Sequence, residues 1–455
     1  AYRDNGDGTI TDLVTGLMWQ KDPGPKKTLE EAAAGASTCQ VGGFDDWRLP
    51  SIKELYSLIL CSGEDVNPQS TDTSGLNPFI NTDFFNFSYG DPAKGERVID
   101  SQMATSTKYV STTMNGDETV FGVNFADGRI KGYPASIKRP GRGAKKFFVF
   151  YVRGNRQYGK NKFRDNGDGT IADEATGLTW MQLDSGHLKA GESKDGKLNW
   201  EQALQWAEDL ECAGHSDWRL PSIKELQSIV DYTRSPDTTN SAAIDPIFRV
   251  TPIRDGLDKV NYPFYWSGTT HVRDGGNASA GCYVAFGRSQ GWMPARFGGE
   301  YSLLDAHGAG SQRCDPKAGD PAQFPRGRGP QGDVIGIYNM VRPVRGGDVR
   351  VSQRGPEPER PDRLRPAQAP RPAAGPNQKP KRGKAAPFLQ RFDRNRDGRV
   401  TPEEFDGQPR RFRALDLNGD GSVSREEAEQ AGPPGAAGER PKTASNVWES
   451  PSTRM

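Results

Sequence analysis

Apolar residues return along this chain in two rhythms. In NWEQALQWAEDLECAG (199–214) they fall at Trp200, Ala203, Leu204, Ala207 and Leu210, which is the spacing of one helix face. Asn199 supplies an N-cap and Gly214 a stop, so the segment predicts a helix. PSIKELQSIVD (221–231) predicts a second helix, with Pro221 and Ser222 at its start. Thr9–Asp12 and Thr170–Asp173 follow Gly-rich turns and predict strands. Long loops and short strands rich in Val, Tyr and Phe come next. Two helices, irregular loops and a small antiparallel sheet make an α+β domain.

The pattern occurs twice. YRDNGDGTITDLVTGLMWQ (2–20) matches FRDNGDGTIADEATGLTWMQ (163–182), and DWRLPSIKELYSLI (46–59) matches DWRLPSIKELQSIV (217–230). YVSTT (109–113) is echoed by YWSGTT (265–270), and VFGVNFADGRI (120–130) by CYVAFGRSQGW (282–292). Each copy closes on a strand ending in Val-Arg, FFVFYVRG (147–154) and YNMVRPVRG (338–346). Two domains follow, 1–154 and 162–346, the second with extra loops near 184–197 and 296–333. From Gly346 to Pro387, nine prolines and ten Lys/Arg stand against four Asp/Glu, so 347–387 reads as an extended basic linker. Residues 388–430 form a small module, and 431–455 are Gly/Pro-rich and predicted to be disordered.

Composition narrows the functions. Only 33% of the 455 residues are hydrophobic and the net charge is +1, so no global field points to nucleic acid. No apolar run approaches the ~20 residues that span a bilayer. The chain begins at Ala1 rather than Met, which fits a processed exported protein at an extracellular, periplasmic or cell-surface location. Five cysteines lack any C-x-x-C pair, which argues against a zinc knuckle or thioredoxin-like site. Cys39 with Cys61, and Cys282 with Cys314, are the pairs within one repeat that a disulfide would join; five buried thiols are the alternative.

DRNRDGRVTPEE (393–404) carries the twelve-residue calcium-loop pattern, with Asp393, Asn395 and Asp397 as side-chain ligands and Gly398 at the sharp turn. The Arg399 carbonyl and a bidentate Glu404 complete it. DLNGDGSVSREE (416–427) repeats it with Asp416, Asn418, Asp420, the Ser422 carbonyl and Glu427. Val400 and Val423 are expected to pair between the loops. So few apolar residues surround them that the module is expected to fold only with calcium bound. RDNGDGTI (3–10, 164–171) lacks the anchoring carboxylates, since Arg3 and Arg164 take the first ligand position and Val14 and Ala175 the last. Asn-Gly and Asp-Gly tolerate positive φ, so these stretches read as hairpin turns. A cation site using Asp4, Asp7 and Asp12 stays open.

DNGDGT…TGLxW, DWRLPSIKEL and a terminal YVR together resemble the DUF1566 family, also seen as the C-terminal domain of a bacterial collagen-like adhesin. The WRLP…E element is similar to the formylglycine-generating enzyme superfamily. The resemblance implies two tandem C-type lectin-like domains that bind extracellular partners, sulfated glycosaminoglycans among them. The tight spacing of the calcium loops resembles dockerin-type repeats, which usually carry Asp where Glu404 and Glu427 stand. Trp47, Arg48, Trp218 and Arg219 read as structural anchors, with Glu54 and Glu225 as partners for the arginines. The four histidines form no recognised catalytic motif, and no P-loop, H-E-x-x-H or G-x-S-x-G occurs, so a binding protein is expected rather than an enzyme. A formylglycine-generating-type enzyme is the minor alternative. Candidate anion-binding residues are Arg129, Lys131, Arg142 and Lys145, with Lys138, Arg139 and Lys146 beside them. Arg288, Trp292 and Arg296 are expected on the equivalent strand and loop of the second copy. The expected partner is an extracellular glycan or protein; the alternative is a surface assembly protein that binds its own copies.

Overall fold

A computed structural model describes residues 1–135, 144–294 and 300–347, with short stretches of the tail at 392–393, 398–401, 404–405, 412, 415 and 422–424. The chain divides into two units, Ala1–Glu359 and Arg360–Met455. The fold of the first unit is α+β.

Each repeat opens with a small antiparallel sheet. In the first, β1 (Tyr2–Asp4), β2 (Thr9–Asp12) and β3 (Leu17–Gln20) are closed by β7 (Val152–Gly154) from the end of the repeat. The Asn-Gly-Asp-Gly stretch is the β1–β2 hairpin, with Gly6 and Gly8 at φ of 77° and 85°. Its carboxylates serve the turn: Asp4 accepts from the Gly6 amide, and Asp7 accepts from the Thr9 amide and hydroxyl. The second repeat builds the same sheet from β8 (Phe163–Asp165), β9 (Thr170–Asp173), β10 (Leu178–Met181) and β18 (Val344–Gly346). Asp165 and Asp168 bond to the turn in the same way.

Two short helices follow in each repeat: α1 (Leu29–Ala36) and α2 (Ile52–Tyr56), then α3 (Trp200–Glu208) and α4 (Ile223–Ser228). Asn199 caps α3 as expected, in a capping box with Gln202. Both helices of the second repeat stop earlier than their spacing predicts. After α3 a tight turn from Leu210 to Ala207 and a Cys212–His215 bridge take over the backbone bonds. In WRLPSIKEL, Glu54 does two jobs: it accepts from the Ser51 amide in a capping box, and both its oxygens meet Arg48 at 2.8 and 2.6 Å. Glu225 does the same for Ser222 and Arg219. Trp47 and Trp218 are buried, their indole N–H groups donating to the Val41 and Cys212 carbonyls. Trp47 and Trp218 thus lie in the core, while Arg48 and Arg219, partly exposed, tie the chain before each helix to its capping glutamate.

The repeats share one six-stranded sheet. β4 (Gln102–Thr113), β5 (Asp117–Asn124) and β6 (Arg129–Pro134) form a meander in the first repeat. In the second, β11 (Ile253–Arg254) and β12 (Val260–Asn261) make a short hairpin ahead of β13 (Phe264–Arg273) and β14 (Asn277–Ala285). An inserted ribbon, β15 (Gln290–Pro294) with β16 (Tyr301–Asp305), precedes β17 (Gln312–Pro316). The order is β13-β14-β17-β6-β5-β4, with β6 and β17 joined antiparallel at Ile130 and Gln312. This corrects the predicted equivalence: β17, not the Gln290–Trp292 strand, takes the place of β6. Helices α2 and α4 meet across the same junction. The Lys53 ammonium donates to the Ser228 carbonyl of the second repeat at 2.6 Å, and Lys224 donates to the Ser57 carbonyl of the first at 2.9 Å. One large hydrophobic cluster runs through both repeats, from Trp19 and Phe121 to Trp180 and Tyr265, with smaller clusters within each repeat. All five cysteines are free thiols.

In the tail unit, β19 (Arg399–Val400) pairs with β20 (Val423–Ser424), setting Val400 opposite Val423 as predicted. Phe392, Phe405, Phe412 and Leu415 pack around these two valines.

Candidate functional site

Where β6 meets β17, the repeats enclose a cleft of about 870 Å³. Among the described residues, nine Lys and Arg and six Asp and Glu line it. Most of the cations are already paired: Lys26 with Glu96, Arg97 with Asp100, Arg129 with Asp65, Lys131 with Asp127, and Arg313 with Asp333. Burial, reinforced by Arg313, pushes the His307 imidazole down to about 4, so it sits neutral against Asp333 at 2.8 Å.

Four of the nine lack a carboxylate ion pair among the described residues: Lys145, Lys146, Arg273 and Arg328. The Lys145 ammonium lies over the Tyr133 and Phe147 rings at 5.2 and 5.4 Å and reaches only Gln102 Oε1, at 3.4 Å. Burial pushes it down to about 8; Asp100 opposes that shift, and Arg97, Lys26 and Lys131 add to it. A desolvated cation among other cations gains most from an incoming anion. Arg328 stacks on Phe324 at 4.0 Å, and burial together with nearby Arg273 lowers its pKa.

The structure therefore gathers Arg129, Lys131 and Lys145 into one cleft. It does not bring the second repeat's candidates there. Arg288 is held by Asp237, Asp255 and the Val260 carbonyl, and half-buried Trp292 sits on the inserted ribbon, its amide bonded to the Gly332 carbonyl. Lys138, Arg139, Arg142 and Arg296 lie outside the described residues. A second cavity, about 680 Å³ within the second repeat, has Lys197 as its single Lys or Arg.

In the tail, Asp393 accepts from the Gly398 amide at 2.9 Å, closing the first calcium loop across its sharp turn. Glu404 accepts from the Thr401 amide at 3.0 Å, and Arg399 donates to the Ser422 hydroxyl at 2.9 Å. Asn395, Asp397, Asp416, Asn418, Asp420 and Glu427 lie outside the described residues.

Comparison with known proteins fits this duplicated architecture. The family described as the Lcl C-terminal domain matches the chain twice, over residues 8–153 and 169–301. The chain belongs to the Lcl C-terminal domain family. Its tail matches the EF-hand family at 385–406 and 410–428, in accord with calcium binding. No curated protein and no solved structure matches the chain. Within this tandem Lcl pair, the sequence reading missed Arg328 and Asp333, which lie in the second repeat's extra loop, Arg313, on the strand that resumes the sheet after the insertion, and Arg273, at the end of β13. The one available signal was the second repeat's extra length, which marked an insertion without showing where the sheet resumed. No helix among the described residues is long and apolar enough to cross a membrane.

Proposed function

We propose that this is an exported, surface-associated binding protein that takes up an anionic extracellular polymer, a sulfated glycan above all, in the cleft between its repeats. The observation that carries the reading is Lys145, a half-buried ammonium with no carboxylate partner among the described residues, in a cleft also lined by Lys146, Arg273 and Arg328. A sulfate can accept from several donors at once, and the surrounding ion pairs hold the walls before it arrives. Membership of the Lcl C-terminal domain family supports an extracellular setting, and the EF-hand match supports a calcium-stabilised tail. The absence of a recognised catalytic motif favours binding over turnover.

The test is titration of the full chain with heparin over a range of salt, in calcium and again in chelator. Affinity is expected to fall steeply with salt, since exposed charge pairs are screened within about 10 Å at 0.1 M. It is expected to survive chelation, which should expose only the tail to protease. Concentration-dependent self-association without heparin binding would replace this reading with an assembly role.

A further inference from the structure

We propose that Asp65, His271 and Cys314 form a site for one divalent transition-metal ion of the zinc class, at the floor of the cleft and built from both repeats. The carboxylate, imidazole and thiol ligand atoms lie within 4.8 Å of one another. Asp65 Oδ2 and His271 Nε2 are 3.3 Å apart. That is the separation of two ligands about 2.0–2.1 Å from a common tetrahedral centre.

The backbone fixes all three. Asp65 sits in a first-repeat loop, where its amide donates to the Val272 carbonyl and its carbonyl accepts from the Asp274 amide. The loop is thereby stitched to the end of β13, which carries His271. Cys314 lies on β17, directly opposite Cys282 on β14. The imidazole is 1% exposed and stacks on Phe79, with ring centroids 5.2 Å apart and planes within 7°. Its Nδ1 faces Cys282 Sγ at 4.0 Å, while Nε2 is buried, makes no hydrogen bond and points at Asp65. A buried, immobilised imidazole with one nitrogen facing a supporting side chain and the other aimed at a carboxylate that can share an ion with it is an arrangement that metal-binding histidines adopt.

Arg129 now bridges the other two ligands: one of its terminal nitrogens donates to Asp65 Oδ2 at 2.6 Å and to Cys314 Sγ at 2.7 Å. A positive charge is thus already held between a sulfur and a carboxylate. A metal ion replaces that contact, and the guanidinium has a second partner to move to. Asp127 Oδ2 lies 3.7 Å from its other terminal nitrogen, and Asp127 Oδ1 is buried with no hydrogen bond. Binding releases the Cys314 thiol proton and uses the neutral form of His271, so thiolate and carboxylate together balance a divalent ion. Sulfur, nitrogen and oxygen donors suit zinc or cobalt rather than calcium or magnesium. Three protein ligands leave a fourth position. Asp65 and Cys314 line the cleft, so that position faces space that water or an anion can enter.

The test uses the full, reduced chain with calcium saturating the tail, titrated with Co²⁺ and back-titrated with Zn²⁺. One Co²⁺ per chain is expected, with tetrahedral visible bands and thiolate-to-cobalt absorption that Zn²⁺ abolishes. Cys314→Ser should lose the sulfur absorption. Cys282→Ala should keep it while binding about 10- to 100-fold more weakly, as loss of an outer-shell partner does. If Cys314→Ser does not fold, Asp65→Asn, in a loop, provides the test through weakened cobalt binding. Absence of sulfur absorption in folded wild type, or its persistence in folded Cys314→Ser, overturns the proposal. So does a Cys282–Cys314 disulfide in protein purified without reductant.

Discussion

The first repeat passes from β5 to β6 through residues 125–128 alone, whereas the second takes 286–311 to pass from β14 to β17 and folds a ribbon on the way. The two repeats also differ in their cores. Two residues before the closing Val-Arg-Gly strand, the first carries Phe150 and the second Arg342, both fully buried. Phe150 meets Phe85 edge to face. Arg342 instead donates to the Met181, Gln182 and Arg249 carbonyls and the Tyr265 hydroxyl, with Asp184 at 3.8 Å. The duplicated signatures thus build a common scaffold. The departures from the repeat supply a cleft wall and a charged core.

The sharpest way to break that comparison is to remove one half of the charged core. Asp184→Ala is expected to destabilise the body by about 4 kcal/mol, because it strands the Arg342 charge in the interior. It also removes the acceptor of the Thr251 amide and hydroxyl and of the Tyr265 hydroxyl. The double change Asp184→Ala with Arg342→Met should recover most of the loss. Phe150→Ala, which leaves a cavity, should cost about 3–5 kcal/mol with no acid dependence. For Asp184, burial raises the pKa, but Arg342 and the Thr251 bonds outweigh it and hold the carboxyl at about 2. Its contribution is therefore present above the ordinary carboxylate range and is lost as pH falls from about 4 to about 2. Urea midpoints of the variants across that window decide the matter; a Phe150-like flat profile for Asp184→Ala against wild type would show that the ion pair carries nothing.

A smaller effect separates the two junction lysines from ordinary surface lysines. Burial pushes Lys53 from its ordinary 10.5 down to about 8, and lowers Lys224 as well. Between those two values the unfolded chain holds the Lys53 proton more tightly than the folded one, so the unfolding free energy rises with pH there. The Lys53 share of that rise is on the order of 3 kcal/mol. Lys53→Met should lose that rise, so the wild-type minus variant stability difference should climb between about pH 8 and 10.5. An unchanged slope would show that Lys53 is solvated and that the crossed lysine–carbonyl contacts do not lock the repeats together.

Those lysines also show what the sequence could and could not reveal. Both occur in the quoted SIKEL match, and the repeat, its capping serines and the Arg–Glu spacing were all legible there. Their role was not, because a lysine on a short helix reads as solvent-facing until the partner helix is placed against it. The turn reading of RDNGDGTI was legible from glycine alone, since Gly6, Gly8, Gly167 and Gly169 all have positive φ. The β17 strand was not legible. QRCDP has no apolar alternation, because Gln312, Arg313 and Asp315 are buried by pairing rather than by hydrophobicity. Legible local signals therefore gave the scaffold, while the cleft depended on long-range contacts between unlike segments.

Within the cleft, Lys145→Met should weaken heparin binding by about tenfold, or ~1.4 kcal/mol, at pH 7 and low salt. An anion binds the protonated ammonium. With the free group titrating near 8, wild-type affinity should decline as pH rises from 7 to 9, toward that of the variant. The Lys145→Met curve should stay flat through the same window. Calorimetric titrations at matched ionic strength read both. A wild-type curve that is equally flat would remove Lys145 from the binding site while leaving the remaining cations as candidates.

The smallest expected effect is the most discriminating between the repeats. Sequence placed Arg288 as the second repeat's counterpart to the first repeat's cations. Its guanidinium is instead spent: it meets Asp237 at 2.7 Å, Asp255 at 3.2 Å and the Val260 carbonyl at 2.9 Å. An arginine already satisfied on three sides offers an incoming anion little that its present partners do not already take. Arg288→Ala should therefore change heparin affinity by less than about twofold, while loosening the loops that carry Asp237 and Asp255. A tenfold loss in a folded Arg288→Ala protein would place polymer on the second repeat's own surface. The binding face would then belong to each repeat separately, and not to the cleft they form together.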